Sequence, residues 1–406
     1  MGNGRGASRH LRIERIDALR GFALFGILQV NIQGFAWGAA DPLGYLTPAA
    51  GTLDVGLRFL QAAFFEGKFY PIFAFLFGAG LAMQMRKLRH MADGDAVVAR
   101  RALRRRLWIL LGMGIAHGLL LYCGDVLSAY AVCGLLFLWG FDAGGADPAL
   151  SARRLRAWSV ACAIGAAATI FIPLAVATFA PGTTPAGAIP PDLLRAHDIY
   201  VHGGWLAQLA QRRDDEIAQQ LGSIPTFWPQ VFAFLALGML AGHAGWLHYP
   251  QRYARVWAAA RRIGLAVGLP CAIVGGVWDT GHALHAPGRE GGWNDVLLGA
   301  SSLLAAAYVA GLLAWFATDR GGRVSRWLAY AGRMSLTNYI GQSLAMNVLL
   351  SAWGLGLGAR AGRAELAALA AAIFGVQLLL SRWTLARYRQ GPLEAMWRRA
   401  TYAGLR

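Results

Sequence analysis

Long uncharged runs recur along the chain, and basic residues gather in every second gap between them. A helix needs about 20 mostly apolar residues to cross a bilayer. Only helices and closed barrels satisfy their backbone polar groups in lipid. Barrel strands are short and alternate in polarity, whereas these runs are long and continuous. The pattern predicts an all-α fold, a polytopic membrane helical bundle. The runs fall at about 18–37, 69–85, 107–123, 127–142, 157–180, 226–245, 263–281, 295–317, 329–353 and 364–382, which makes about ten transmembrane helices.

The gaps set the orientation. Arg86, Lys87, Arg89, Arg100, Arg101, Arg104, Arg105 and Arg106 crowd the second. Arg153, Arg154 and Arg156 lie in the fourth, Arg252, Arg255, Arg261 and Arg262 in the sixth, and Arg320, Arg323 and Arg326 in the eighth. The odd-numbered gaps are poor in Arg and Lys, so the positive-inside rule puts both termini in the cytoplasm. The reading is one integral membrane domain over 1–406, multipass in the cell inner membrane. It has a cytoplasmic N-terminal tail at 1–17, a long extracytoplasmic loop at 181–225 and a cytoplasmic C-terminal tail at 383–406. The loop holds Pro181, Pro185, Pro190 and Pro191, then Asp214, Asp215 and Glu216. It reads either as an ordered lid with some helix or as a linker. Trp205, Trp228, Trp246, Trp278, Trp293 and Trp353 stand near predicted span ends, as interfacial aromatics do.

Composition agrees. Hydrophobic residues make up 56% of the chain and charged ones 15%, against about 25% charged in a soluble domain; mean hydropathy is +0.42. The net charge of +17 sits in short gaps between apolar runs, which points to membrane lipids as partners and not to nucleic acid. Cys123, Cys133, Cys162 and Cys271 are scattered without a CxxC pair, so neither a metal site nor a disulfide framework is expected. The basic start MGNGRGASRHLRIER lacks a small-residue cleavage site and reads as leading into a retained helix.

Ionisable groups are costly inside a bilayer and usually face a cavity or a partner, so they mark candidate sites. In the first cluster, Asp17 and Arg20 are three apart and share a helix face; Gln29 and Gln33 share another, and Asn31 points elsewhere. It reads as an anion-binding entrance or as a headgroup-level ion pair. Glu66, Lys68, Tyr70 and Pro71 form the second, at the start of span two, either as an outer mouth or as a solvated helix start. In the third, His117 falls about ten residues into span three, and Asp125 follows at the connection to span four, with Tyr122 between them. Histidine titrates near neutrality and is the commonest general base. Eight residues along a continuous helix would separate His117 from Asp125 by roughly 12 Å, so a direct pair requires a break at Gly118 or Gly124. Otherwise Glu66 would orient the imidazole. The fourth, GRMSLTNYIGQS, carries Arg333, which either snorkels or meets a ligand, and Asn338 and Gln342, four apart on one face.

No GxxxxGK[ST] loop, HExxH helix or GxSxG elbow occurs. The segments RIDALRGFALFGILQVNI (15–32), EGKFYPIFAFLFGAGLAMQ (66–84), HGLLLYCGDVLSAYAVCGLLF (117–137), GRMSLTNYIGQSL (332–344) and GPLEAMWRRATY (391–402) resemble the YeiB-like family of bacterial multipass membrane proteins, which ends in a domain of unknown function. Asp17, Arg20 and Gly21 also match the first-helix Asp-x-x-Arg-Gly pattern of a wider superfamily of transmembrane acyltransferases. That resemblance implies transfer of an acyl group from cytoplasmic acyl-CoA to an extracytoplasmic sugar. The acetyltransferase relatives carry a histidine in the region after the first helix, whereas this chain has none between residues 11 and 89.

The resulting expectation is an acyl-CoA-dependent membrane acyltransferase with no metal, acting on a small-molecule, lipid-linked or glycan acceptor, and compatible with a homo-oligomer. Arg20 and Arg333 would hold CoA phosphates, with Asp17 beside them. Asn31, Asn338 and Gln342 would line a midplane cavity, and Lys68 and Tyr70 would contact substrate. His117 would be the base, Asp125 or Glu66 its orienting partner, and Asn31 or Tyr122 the oxyanion donor. The alternative is a proton-coupled transporter or exporter of a small molecule that uses the same ionisable groups as a relay.

Overall fold

A computed structural model describes residues 3–38, 51–91, 95–140, 191–224, 226–285 and 293–403, with a few isolated positions between 157 and 175. The span predicted at 157–180, the start of the 181–225 loop, Arg153, Arg154, Arg156 and Cys162 lie almost wholly outside the described residues. Among the described residues the chain is helical with no strand. Among the described residues three helices are long and apolar enough to cross a membrane: Phe227–Ala244, Ala254–Gly281 and Arg363–Arg387. The bent pair Gly299–Trp315 and Asp319–Arg333, turned by 115°, adds a fourth if it is one span. These apolar helices suggest a membrane protein, and Val376, Leu379, Leu380 and Trp383 stay exposed along one of them.

In chain order the helices are α1 (Asn3–Trp37), α2 (Thr52–Phe64), α3 (Phe69–Met91), α4 (Ala96–Leu120), α5 (Leu127–Gly140), α6 (Pro191–His202), α7 (Trp205–Gly222) and α8 (Phe227–Ala244). There follow α9 (Ala254–Ile263), α10 (Leu269–His285), α11 (Trp293–Ser301), α12 (Leu304–Trp315), α13 (Asp319–Arg333), α14 (Ser335–Leu350), α15 (Arg363–Arg387) and α16 (Pro392–Tyr402). Local chemistry sets several ends. The Asp95 carboxylate accepts the amides of Val97 and Val98 at the start of α4, and Thr318 does the same for Gly321 at α13. Gly245 ends α8 at φ +82°, a conformation open to glycine.

Several elements differ from the sequence expectation. The predicted N-terminal tail continues α1 as helix from Asn3. The eighth gap is helical: α13 keeps Gly321, Ser325, Ala329 and Gly332 buried and turns Arg320, Arg323 and Arg326 outward. The C-terminal segment folds back as α16, where the Trp397 indole donates to the Arg106 carbonyl at 3.0 Å. α2 was not anticipated, because Arg58 and Gln61 interrupt its apolar pattern.

α1 runs through the core, with Leu19, Leu24, Leu28 and Ile32 fully buried. Two helix pairs touch backbone to backbone through glycine. A Cβ on Gly21 would lie 2.1 Å from the Leu328 carbonyl oxygen, and one on Gly332 only 1.8 Å from that of Asp17, so α1 and α13 interlock in both directions. Gly78 of α3 against Leu235, at 2.0 Å, and Gly238 of α8 against Phe75, at 1.9 Å, repeat the device. Small residues permit such approach where packing, not water exclusion, drives helix association. Gly238→Val is expected to cost about 1–3 kcal/mol or more by overpacking, read as a lower thermal midpoint of the purified protein. Gly112→Ala, which meets nothing within 4 Å, is expected to leave the midpoint unchanged or raise it.

Candidate active site

The site begins where α4 stops. The amides of Leu121 and Tyr122 both bond to the His117 carbonyl, at 2.8 and 3.0 Å, and the chain then leaves the helix. The break falls at Leu120, between the two glycines, and the turn carries Asp125 back alongside His117. Nδ1 of His117 lies 2.9 Å from Oδ1 of Asp125, and Nε2 lies 2.8 Å from the Ser343 hydroxyl. Oδ2 of Asp125 accepts the Ser128 amide at 2.8 Å, which satisfies a free N–H at the start of α5. All three side chains are at most 2% exposed. The direct contact that a continuous helix would forbid is therefore made. Because the carboxylate only accepts, Nδ1 carries the proton, and Nε2 offers its lone pair to the Ser343 O–H.

α14 supplies two polar faces. Ser335, Tyr339, Ser343 and Asn347 are spaced by four and share one. The Tyr339 ring lies 4.7 Å from the His117 imidazole, and its buried hydroxyl, beside the Val126 backbone, finds no acceptor for its proton among the described residues. Asn347 accepts from Arg212 and donates to the Leu121 carbonyl. Asn338 and Gln342 sit on the other face and tie α14 to α15. Asn338 donates to Ser381 at 2.9 Å, Gln342 to Gln377 at 2.8 Å, and Gln377 returns a bond to the Asn338 carbonyl. They therefore act as interhelical ties and, contrary to the midplane-cavity role expected from sequence, do not line the cavity that reaches Tyr339.

A cavity of about 300 Å³ opens on the end of the bundle that bears Asp17, Arg20, Arg106, Arg333, Glu394 and Trp397. Its walls include Phe73, Phe77 and Leu110, and it reaches Val126, Leu127, Tyr130 and Tyr339. His117 and Ser343 lie just behind that inner end. Arg20 donates to Asp17 at 2.9 Å, and the Arg106 guanidinium lies 3.3 Å over the Trp397 ring. Glu394 accepts the amides of Leu336 and Thr337 at 2.8 and 3.0 Å, so α16 caps the N-terminus of α14.

The second sequence cluster lies elsewhere. Lys68 is 1% exposed and donates to the Ala62 carbonyl at 2.8 Å. One Arg58 nitrogen donates to both carboxylate oxygens of Asp279 nearby, in a buried ion pair, and the charges acting on Glu66 are those of Asp279, Arg58, Lys68 and Arg363. Glu66 thus belongs to that charge network and does not orient His117. Tyr70 pairs with Gln230. Tyr122 stacks on Phe35 at 4.4 Å, away from the cavity, and Asn31 is half-buried outside its lining.

At the opposite end α7 covers the site, so the 181–225 segment is ordered helix over its described part. Arg212, 2% exposed, donates to the Leu120 carbonyl at 3.0 Å and to Asn347. Gln220 reaches the Asp125 carbonyl at 3.3 Å and Glu216 at 3.0 Å. A Cβ on Gly118 would fall 2.6 Å from the Glu216 carboxyl carbon. Tyr339 and Ser343 stand in the fourth sequence cluster and Arg106 among the basic gap residues, each without a site role there; Glu394, Trp397 and Arg212 carry no such signal individually. The four-residue spacing in α14 and the GPLEAMWRRATY segment were the available signals. Among the described residues no group of three or more His, Cys, Asp or Glu is placed to hold a metal ion.

Comparison with known proteins adds to this picture. A family model described as "Protein of unknown function (DUF418)" matches residues 241–404. The chain is 27% identical over 416 residues to the uncharacterized protein YxaH of Bacillus subtilis (strain 168), covering 96% of this chain and 94% of that protein. It is 28% identical over 402 residues to the uncharacterized protein YeiB of Escherichia coli (strain K12), covering 95% of each. These matches support a YeiB-like family. An uncharacterized 39.9 kDa protein of Bacillus acidopullulyticus shares 38% over 127 residues, 31% of this chain and 33% of that protein. The DUF418 match takes in Arg333, Ser343 and Glu394, whereas His117 and Asp125 precede it.

Burial pushes the Glu216 carboxyl up to about 7; the Gln220 hydrogen bond opposes the push and the nearby Asp125 charge adds to it. Between the ordinary value of 4.5 and about 7 the folded protein then holds more protons than the unfolded one, so stability falls as pH rises through that window. The thermal midpoint is expected to drop across this window in the wild type and to drop less in Glu216→Gln. Equal slopes in the two proteins would refute the assignment.

Proposed function

We propose that the protein is a multipass inner-membrane acyltransferase that moves an acyl group from cytoplasmic acyl-CoA to an extracytoplasmic or lipid-linked acceptor. In this reading it has about ten spans and both termini in the cytoplasm, with the arginine-lined end of the bundle inward. One observation carries it: a single cavity gathers Arg20, Arg106 and Arg333 at its opening and ends beside Tyr339, which packs on His117.

The cavity chemistry suits a CoA thioester. Guanidinium groups hold phosphates through charge-assisted bonds. The apolar walls at Phe73, Phe77, Leu110 and Leu127 accept the pantetheine arm and acyl chain. His117, its tautomer fixed by Asp125, serves as general base. The Tyr339 hydroxyl, in place of Asn31 or Tyr122, is the donor for the developing oxyanion. The acceptor, a small molecule or glycan bearing a hydroxyl or amine, approaches from the α7 side. The similarity to transmembrane acyltransferases in Asp17, Arg20 and Gly21 supports the same direction of transfer.

The second reading, proton-coupled transport, draws on the buried Glu216 beside the His117 and Asp125 pair. Acyl-CoA binding and CoA thiol release by the protein in nanodiscs separate the two. Wild type is expected to bind acyl-CoA and release thiol when acceptor is present, and His117→Ala to bind but not turn over. Arg20→Ala or Arg333→Ala is expected to weaken binding about 10–100-fold, the loss of one charge-assisted bond of about 1.5–3 kcal/mol. Absence of any acyl-CoA binding would overturn the acyltransferase reading in favour of transport.

A further inference from the structure

Resting on the acyl-transfer reading, we propose that Ser343 is the nucleophile, carrying the acyl group as an ester between donor and acceptor. Ser343, His117 and Asp125 make a continuous hydroxyl, imidazole and carboxylate line at 2.8 and 2.9 Å, drawn from residues 226 and 8 positions apart. That constellation activates serine on unrelated folds and is recognised by geometry and not by sequence order.

The bonding of Ser343 departs from what a helical serine usually does. A buried serine in a helix commonly gives its proton to the carbonyl four residues back. Here that carbonyl, of Tyr339, is 3.4 Å from Oγ, and the imidazole nitrogen is 2.8 Å away. The hydroxyl proton is therefore directed at the base. Both Asp125 oxygens are engaged, one by His117 and one by the Ser128 amide, so the imidazole is held in one orientation.

The position along α14 also fits a carrier. Tyr339 stands one turn, about 6 Å, towards the arginine-lined cavity and forms part of its wall. Asn347 stands one turn the other way, bonded to Arg212 of the covering helix α7. Ser343 thus lies between the donor side and the acceptor side. The buried Tyr339 hydroxyl, whose backbone neighbour Val126 can only donate to its oxygen, has no acceptor for its own proton among the described residues and is the neighbouring donor for an oxyanion. The Tyr339 ring stands between the cavity and the imidazole, so acylation of Ser343 requires that ring to swing aside.

The chemistry balances in two steps. Ser343 Oγ attacks the thioester carbonyl while His117 Nε2 takes its proton. The tetrahedral adduct collapses, the C–S bond breaks, and the imidazolium protonates the departing thiolate, leaving CoA thiol and an acyl ester on Ser343. An acceptor hydroxyl or amine, deprotonated by His117, then attacks the ester. The C–O bond to Ser343 breaks and Oγ regains its proton from the imidazolium.

The test is to incubate the nanodisc protein with radiolabelled acetyl-CoA or a longer acyl-CoA without acceptor, quench in acid, and map the label by peptide mass spectrometry. Label on Ser343 is expected in the wild type. Ser343→Ala should bind acyl-CoA normally yet lose the label and at least about 10³-fold in turnover. Ser343→Cys should carry the label as a hydroxylamine-labile thioester, which a merely structural hydroxyl would not produce. If acceptor-dependent thiol release proceeds at the wild-type rate in Ser343→Ala, or no protein-bound label forms, transfer is direct and the Ser343 assignment fails while acyl transfer stands. If the wild type neither binds acyl-CoA nor releases thiol, both fail.

Discussion

A hydrogen-bonding side chain buried between apolar helices and left without a partner costs about 1–3 kcal/mol, and more if it is charged. The helical pattern alone would let each helix rotate about its axis with little penalty, since apolar side chains surround it. The buried polar groups remove that freedom. α14 is held on one side by Asn338 and Gln342 against Ser381 and Gln377 of α15. On the other it is held by Ser343 against His117 and by Asn347 against Arg212 and Leu121. Successive helical residues point about 100° apart, so a helix bonded through both Gln342 and Ser343 has one rotational setting. That setting puts Tyr339 on the cavity wall and Ser343 on the imidazole.

Backbone contact does for the cavity opening what polar pairing does for its inner end. Gly332 lies against the Asp17 carbonyl, and Gly21 against that of Leu328. Arg333 follows Gly332, and Arg20 precedes Gly21. The interlock that brings α1 and α13 together therefore also delivers two arginines to one cavity, beside Asp17. Arg106 arrives from α4 and is held flat on Trp397 of α16. The same helix supplies Glu394 to the first amides of α14. The C-terminal segment consequently fixes both a guanidinium at the opening and the helix that carries Ser343.

The helical class and the residues worth watching could be read from the sequence, because cost makes intramembrane polar residues conspicuous. His117, Asp125, Arg20 and Arg333 stood out for that reason, and they do converge on one cavity and its inner end. Their distances were not legible. Gly118 and Gly124 mark candidate break points, but the helix stops between them, at Leu120, in a run of three leucines that carries no stop signal of its own. Glu66 looked like a partner for His117 because Arg58, its real neighbour, sits in a helix whose apolar pattern is interrupted. Asn338 and Gln342 were noticed because amides in apolar runs are rare. Ser343 was passed over because serine is tolerated in such helices without a role. The arginines Arg320, Arg323 and Arg326 mark a cytoplasmic gap in the sequence, yet they occupy the exposed face of a helix whose small residues lie on α1.

The bonding around Asp125 also bears on the two functional readings. A proton path across a membrane needs each group to hand on what it receives. Asp125 receives from His117 and from the Ser128 amide, which use both of its oxygens. Gln220, the link toward Glu216, bonds to the Asp125 main-chain carbonyl and not to its carboxylate. Among the described residues no hydrogen bond joins the Asp125 carboxylate to Glu216. A carboxylate that only accepts holds the imidazole in one tautomer, with Nε2 turned to Ser343. That is the orientation on which the proposed acyl transfer relies.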